Sequence, residues 1–234
     1  MVASRHIGIA LAAIVGVLAL AAPARASYDP SSVSGAPQLY GSTAVFSRDL
    51  DAFPQWRDVM KRADAERGDG QICSASHETG CVPAEWHDLI AELRHLPLMA
   101  KLQTVNAAIN QHPYVTTWQN WHRVMYWESP LEFLRRGGQC QDYAIAKYLA
   151  LREAGVGDDT IRMLVPHVTS LDVDHAVLAA DVDGQSYLLD NLNPAIVPAS
   201  QVTDYRPYYA ISASGFWAYF GGRSMLAQTR TYRW

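Results

Sequence analysis

Gly137-Gly138-Gln139-Cys140-Gln141-Asp142-Tyr143-Ala144-Ile145-Ala146-Lys147-Tyr148 is the stretch around which the chain is organised. A glycine pair feeds a cysteine, and a helix pattern starts straight after it. The pattern runs from about Gln141 to Gly155, a C-cap glycine. Ala144, Ile145, Tyr148, Leu149 and Leu151 lie on its apolar face. A thiol at a helix N-terminus meets free N–H groups and the positive end of the dipole, so its anion is favoured.

Downstream, Ile161-Arg162-Met163-Leu164-Val165 reads as a strand, and so does His175 to Val182. Asp183-Gly184 supplies a two-residue turn, and Gln185 to Asp190 returns as the partner strand. That turn pairs Val182 with Gln185 and Val177 with Asp190. His175 shares a face with Val177, so His175 and Asp190 become diagonal neighbours within hydrogen-bonding reach. A one-residue slip would put them on opposite faces. Asp172, Asp174, Asp181 and Asp183 read as loop and turn residues and a solvated strand face. Cys140 as nucleophile, His175 as base and Asp190 as orienter make a set suited to attack on an amide carbonyl. The Cys140 N–H is a natural oxyanion donor, with the Trp127 indole as a second candidate. A lone cysteine is commonly an inert core thiol. The glycine entry, the helix start and the His–Asp hairpin argue together for the reactive reading.

Upstream, Ser129-Pro130-Leu131-Glu132 is a helix start with an N-cap, a proline at the first position and a capping-box glutamate. Trp118, Trp121, Tyr126 and Trp127 crowd the stretch before it and read as packing residues, with a cleft wall as the rival. Helix patterns cover Pro54 to about Arg67, Ala84 to His95, and Leu98 to His112-Pro113. His77, His87, His95 and His112 form no metal motif. Segments such as Tyr205 to Ile211 are expected as edge strands.

Arg5-His6, an apolar run over Ile7 to Ala22 and Ala24-Arg25-Ala26 give an export signal cleaved after Ala26. No later stretch is apolar enough to span a membrane. Residues 27–46 read as a linker or surface segment, 47–128 as a helical lobe, and 129–234 as the catalytic helix with an antiparallel sheet. The fold class is α+β. Export makes a Cys73–Cys81 disulfide the expected pairing, since a metal clip through His77 lacks a fourth ligand. Cys140 is then the odd thiol. The formal charge of −4 becomes −6 once Arg5 and Arg25 are removed, and no basic cluster invites nucleic acid.

Tyr126-Trp127, Ser129 to Leu134, the Gly137–Tyr148 block, His175-Ala176-Val177-Leu178 and Leu188-Leu189-Asp190-Asn191 together resemble the bacterial transglutaminase-like cysteine proteinases, the LapG-type periplasmic proteases. The resemblance covers residues 40 to 210 in order. It implies a papain-like, transglutaminase-type core with Cys140, His175 and Asp190 as working residues. It also implies periplasmic cleavage of a large surface adhesin in biofilm cells, controlled by an inner-membrane cyclic-di-GMP receptor. Calcium-requiring members typically carry Gly-Asp-Cys-Glu-Asp-Tyr at the cysteine. Here the flanks are Gln139 and Gln141, and amides are poor substitutes for carboxylates at calcium. Weak or absent calcium binding is therefore expected. Acyl transfer to an amine, or a non-catalytic binding module on the same fold, stays open beside hydrolysis.

Overall fold

A computed structural model describes residues 39–67, 72–73 and 81–222. The expected export signal, the first part of the linker segment and His77 lie outside the described residues. The later part of that segment leads into strand β1 (Thr43–Ser47). Helices α1 (Pro54–Glu66), α2 (Ala84–Arg94), α3 (Leu98–Ile109), α4 (Thr117–Trp121), α5 (Pro130–Arg136) and α6 (Cys140–Glu153) follow. Strands β2 (Ile161–Val168), β3 (Val173–Asp174), β4 (Val177–Val182), β5 (Gln185–Leu189), β6 (Val197–Pro198), β7 (Tyr205–Ser212) and β8 (Gly215–Phe220) complete the order. The fold is α+β.

Among the described residues the strands form one antiparallel sheet in the order β1-β8-β7-β2-β4-β5-β6, with β3 beside β2. Strand alternation sends Met163, Leu178, Ala180 and Leu189 into the core that holds α6. Leu164, Val177, Ala179 and Leu188 face a second apolar cluster on the other side. Every residue of α6 from Asp142 to Leu151 is buried, because α2, α3, α5 and the sheet surround it. Fully buried Ile145 and Leu151 each contribute about 1.5–3 kcal/mol.

The β4–β5 turn has the expected register, with Val182 opposite Gln185 and Leu178 opposite Leu189. Asp183 and Gly184 take φ of 51° and 77°, the two positive values that this turn requires. Three expectations need correction. His175 is not within a strand, for the pairing with β2 breaks at His175-Ala176 between β3 and β4. The cause stands opposite: Pro166 has no N–H, so it accepts from the His175 N–H at 2.9 Å and donates nothing back. β7 is interior rather than an edge, lying between β8 and β2. Its Pro207 is tolerated because it faces Pro166 at a bulge in the β2–β7 ladder. Asp181 is not solvated, since it holds the buried Arg162 guanidinium through bonds of 2.5 and 3.0 Å.

The Cys73–Cys81 disulfide is present, and the Cys73 N–H bonds Val82 O at 2.9 Å. No helix among the described residues is long and apolar enough to cross a membrane.

Candidate active site

Backbone constraints place Cys140. Helix α5 begins at a capping box in which Ser129 and Glu132 each bond the other's backbone N–H. It ends at Gly137, whose φ of 71° suits only glycine and whose Cα lies against Pro113 O. The Gly138 N–H bonds Pro113 O, and the Val115 N–H bonds Gly138 O, so the entry to α6 lies alongside residues 113–117. A side chain at Gly138 would collide with Asp142. Cys140 thus becomes the first residue of α6, one position before the expected start. Its N–H is among the first-turn donors that a helix leaves without an intrahelical acceptor.

His175 Nε2 lies 2.8 Å from Asp190 Oδ1. The register explains the contact: one step past Leu178–Leu189, Asp190 stands opposite Val177, diagonal to His175. Asp190 is the residue after β5 rather than its last member. The Nε2 contact leaves Nδ1 as the ring nitrogen available to the Cys140 thiol, which adds to the pull of Asp190 on the imidazole. Cys140, the free cysteine among the described residues, is half-buried, and its Sγ lies 3.6 Å from Gln141 Oε1.

Burial disfavours the charged imidazole. The bonds to Asp190 and Cys140 outweigh it and raise His175 to about 9. Burial also pushes Asp190 up, but bonds from His175, Leu192 N and Tyr205 hold it below the usual carboxylate value. The Tyr205 hydroxyl donates to Asp190 Oδ2 at 2.5 Å and the Leu192 N–H to Oδ1 at 2.9 Å. The Asn110 amide donates to the Asp190 carbonyl at 2.8 Å. Nothing local to Tyr205 in the sequence marks it for this cluster, which depends on β7 lying inside the sheet. Lys147, on the same face of α6 two turns after Cys140, is 1% exposed. Burial lowers it to about 7 against the opposing pull of Asp190.

The aromatic stretch does not form core. Trp118 is 62% exposed, and Trp121, Tyr126 and Trp127 are half-buried. Tyr126 and Trp127 line a cleft that Gln139 and Gln141 also line, on either side of Cys140 in sequence. Helix α4 is five residues long and carries Trp118 and Trp121, while Trp127 lies beyond its end.

The oxygens around Cys140 are mostly engaged in bonds within the protein. Asp142 is fully buried, its Oδ1 accepting the Glu128 N–H and its Oδ2 the Gln139 N–H, both at 2.8 Å. Gln141 Nε2 adds a third bond at 3.1 Å, and Gln139 Oε1 is taken by the Thr117 N–H at 2.8 Å. Glu128 Oε1 accepts from Asn120 and Trp121, which leaves Oε2 as a lone carboxylate oxygen without a hydrogen bond in this cluster. Calcium takes roughly six to eight oxygen ligands. Among the described residues no three His, Cys, Asp or Glu side chains converge on a metal position.

Residues 68–222 match the model of a family described as bacterial transglutaminase-like cysteine proteinases. No curated protein matches. Among solved structures, Legionella pneumophila LapG is similar, at 31% identity and a TM-score of 0.54, over 69% of this chain and 86% of that one. EGTA-treated LapG gives 31% identity and a TM-score of 0.54, over 69% of this chain and 84% of that one. The calcium-bound form gives 30% identity and a TM-score of 0.54, over 75% and 90%. The chain therefore belongs to the bacterial transglutaminase-like cysteine proteinases, and it is a cysteine protease.

Proposed function

We propose that this protease is a periplasmic endopeptidase that works through Cys140, His175 and Asp190. One observation carries the reading: His175 is bonded to Asp190 through Nε2, and Cys140 opens α6 at its N-terminus. His175 takes the thiol proton on Nδ1, and Sγ attacks the scissile carbonyl carbon. The Cys140 N–H faces the oxyanion that forms. Collapse breaks the C–N bond, and His175 returns its proton to the leaving amine. Water then attacks the thioester with His175 as base, freeing the carboxylate product and the thiol. Asp190 accepts the Nε2 proton throughout, which keeps Nδ1 turned to sulfur.

Export by residues 1–26 brings the chain to surface proteins before they leave the cell envelope. A large surface adhesin is the proposed substrate, with an inner-membrane receptor as regulator. Gln139, Gln141 and the saturated Asp142 support a reaction that needs no calcium. Wild-type and Cys140→Ala protein, incubated with surface proteins of the host, should differ by new N-termini found only with wild type. Identical N-termini in both would sink the proposal.

A further inference from the structure

A cleft of about 440 Å³ opens beside Cys140, within the size range of about 300–1,000 Å³ typical of ligand sites. Phe53 forms one wall, its ring packed at a tilt against Tyr209 with centroids 4.9 Å apart. Trp127 and Tyr126 form a second wall, and Val124 and Met125 form the rim. None of the lining residues carries a charge. Gln139 and Gln141, the two residues flanking Cys140 in sequence, also line the cleft, which sets it next to the nucleophile.

The walls are held in position before any ligand arrives. Arg62 donates to the Trp127 carbonyl at 2.5 Å and pairs with Glu132. Glu132 in turn accepts the Tyr126 hydroxyl at 2.7 Å. Gln55 Nε2 lies 2.9 Å from Met125 Sδ. The rim nevertheless leaves apolar surface in water, with Val124 83% and Met125 39% exposed. Pre-set apolar walls with a wet apolar rim favour an occupant that covers the rim and brings no charge.

We propose that this cleft is the specificity subsite of the protease and takes a large apolar or aromatic side chain of the peptide substrate. The assignment rests on Cys140 being the nucleophile. An extended peptide advances about 3.3 Å per residue, so the recognised side chain belongs within about three residues of the cleaved bond. A charged side chain at that position is excluded, because the lining has no counter-charge to offset its desolvation.

The test is cleavage of a library of tryptic peptides by the full-length protein, read by mass spectrometry. Iodoacetamide labelling of wild-type Cys140 is run beside it. Wild type should enrich Phe, Tyr, Trp, Leu or Met at one position near the cleaved bond. Met125→Lys should lower cleavage of those peptides about tenfold or more, mainly through KM, and shift the preference there to Asp and Glu. Met125 is part-exposed, and thermal unfolding checks that the variant is folded. Cleavage without such a preference, or a preference that Met125→Lys leaves unchanged, overturns the subsite while leaving the nucleophile assignment intact. An uncut library together with an unlabelled Cys140 overturns both.

Discussion

Asp190→Asn isolates what the carboxylate does for the imidazole. His175 stands at about 9 against an ordinary 6.5, although burial alone would put it below 6.5. Asparagine keeps the size of Asp190 and removes its charge. His175 should then fall well below about 9, because Cys140 alone is left to offset burial. Each pH unit of the drop corresponds to about 1.36 kcal/mol. At pH 7.5 the imidazolium fraction, nearly complete in wild type, should fall with it. NMR titration of the His175 ring proton reads this directly, and the rate of Cys140 alkylation at pH 7.5 should fall with it. Stability must follow the same signs. The raised His175 stabilises the fold fully below 6.5, and that contribution is lost as pH rises through about 9. The lowered Asp190 stabilises above its ordinary 3.8, and that contribution is lost as pH falls through its folded value. The deficit in Tm of Asp190→Asn should therefore be largest between these limits and fade toward pH 9. A His175 that still titrates near 9 in the variant would refute the reasoning.

Tyr205→Phe removes a bond to a buried charged oxygen, so denaturant unfolding should lose about 1.5–3 kcal/mol, and an unchanged midpoint would contradict it. Lys147→Met should raise stability most at and below pH 7, where the buried ammonium is charged. That advantage should shrink by about 1.4 kcal/mol per pH unit between about 7 and the free lysine range, and a gain independent of pH would count against it. Calcium titrated into the protein should give no micromolar binding heat, and EGTA should leave Tm and activity unchanged. Micromolar affinity would show that the amides and Asp142 reorganise around the ion.

Local chemistry made the His175–Asp190 contact legible. Asp183-Gly184 admits one tight turn, and a tight turn sets the pairing of everything it connects. The same holds for the start of α5, where Ser129 and Glu132 cap one another. The break at His175 was harder to see, because its cause, Pro166, lies on another strand. Tyr205 was out of reach for the same reason on a larger scale. Its role follows from β7 pairing with β2, which no tight turn dictates. Lys147 is likewise placed by packing rather than by its own residue type. A lysine in a helix ordinarily marks the wet face, yet here packing closes around α6 on every side.

These hidden residues share a physical logic. Cys140 sits where a helix leaves donors unfilled, and that is a property of a few consecutive residues. An imidazole raised to about 9 needs more: a carboxylate kept charged while buried. Burial opposes that charge, so Asp190 must be surrounded by donors, and Tyr205, Leu192 N and His175 come from three separate segments. A motif can thus name the candidate reacting atoms, while the groups that set their charge are assembled only by the folded sheet. The pairing of β7 with β2 is therefore a requirement of the chemistry as well as of the fold. A substitution that disrupts the Pro166–Pro207 bulge and displaces Tyr205 should raise the titration of Asp190 without touching it.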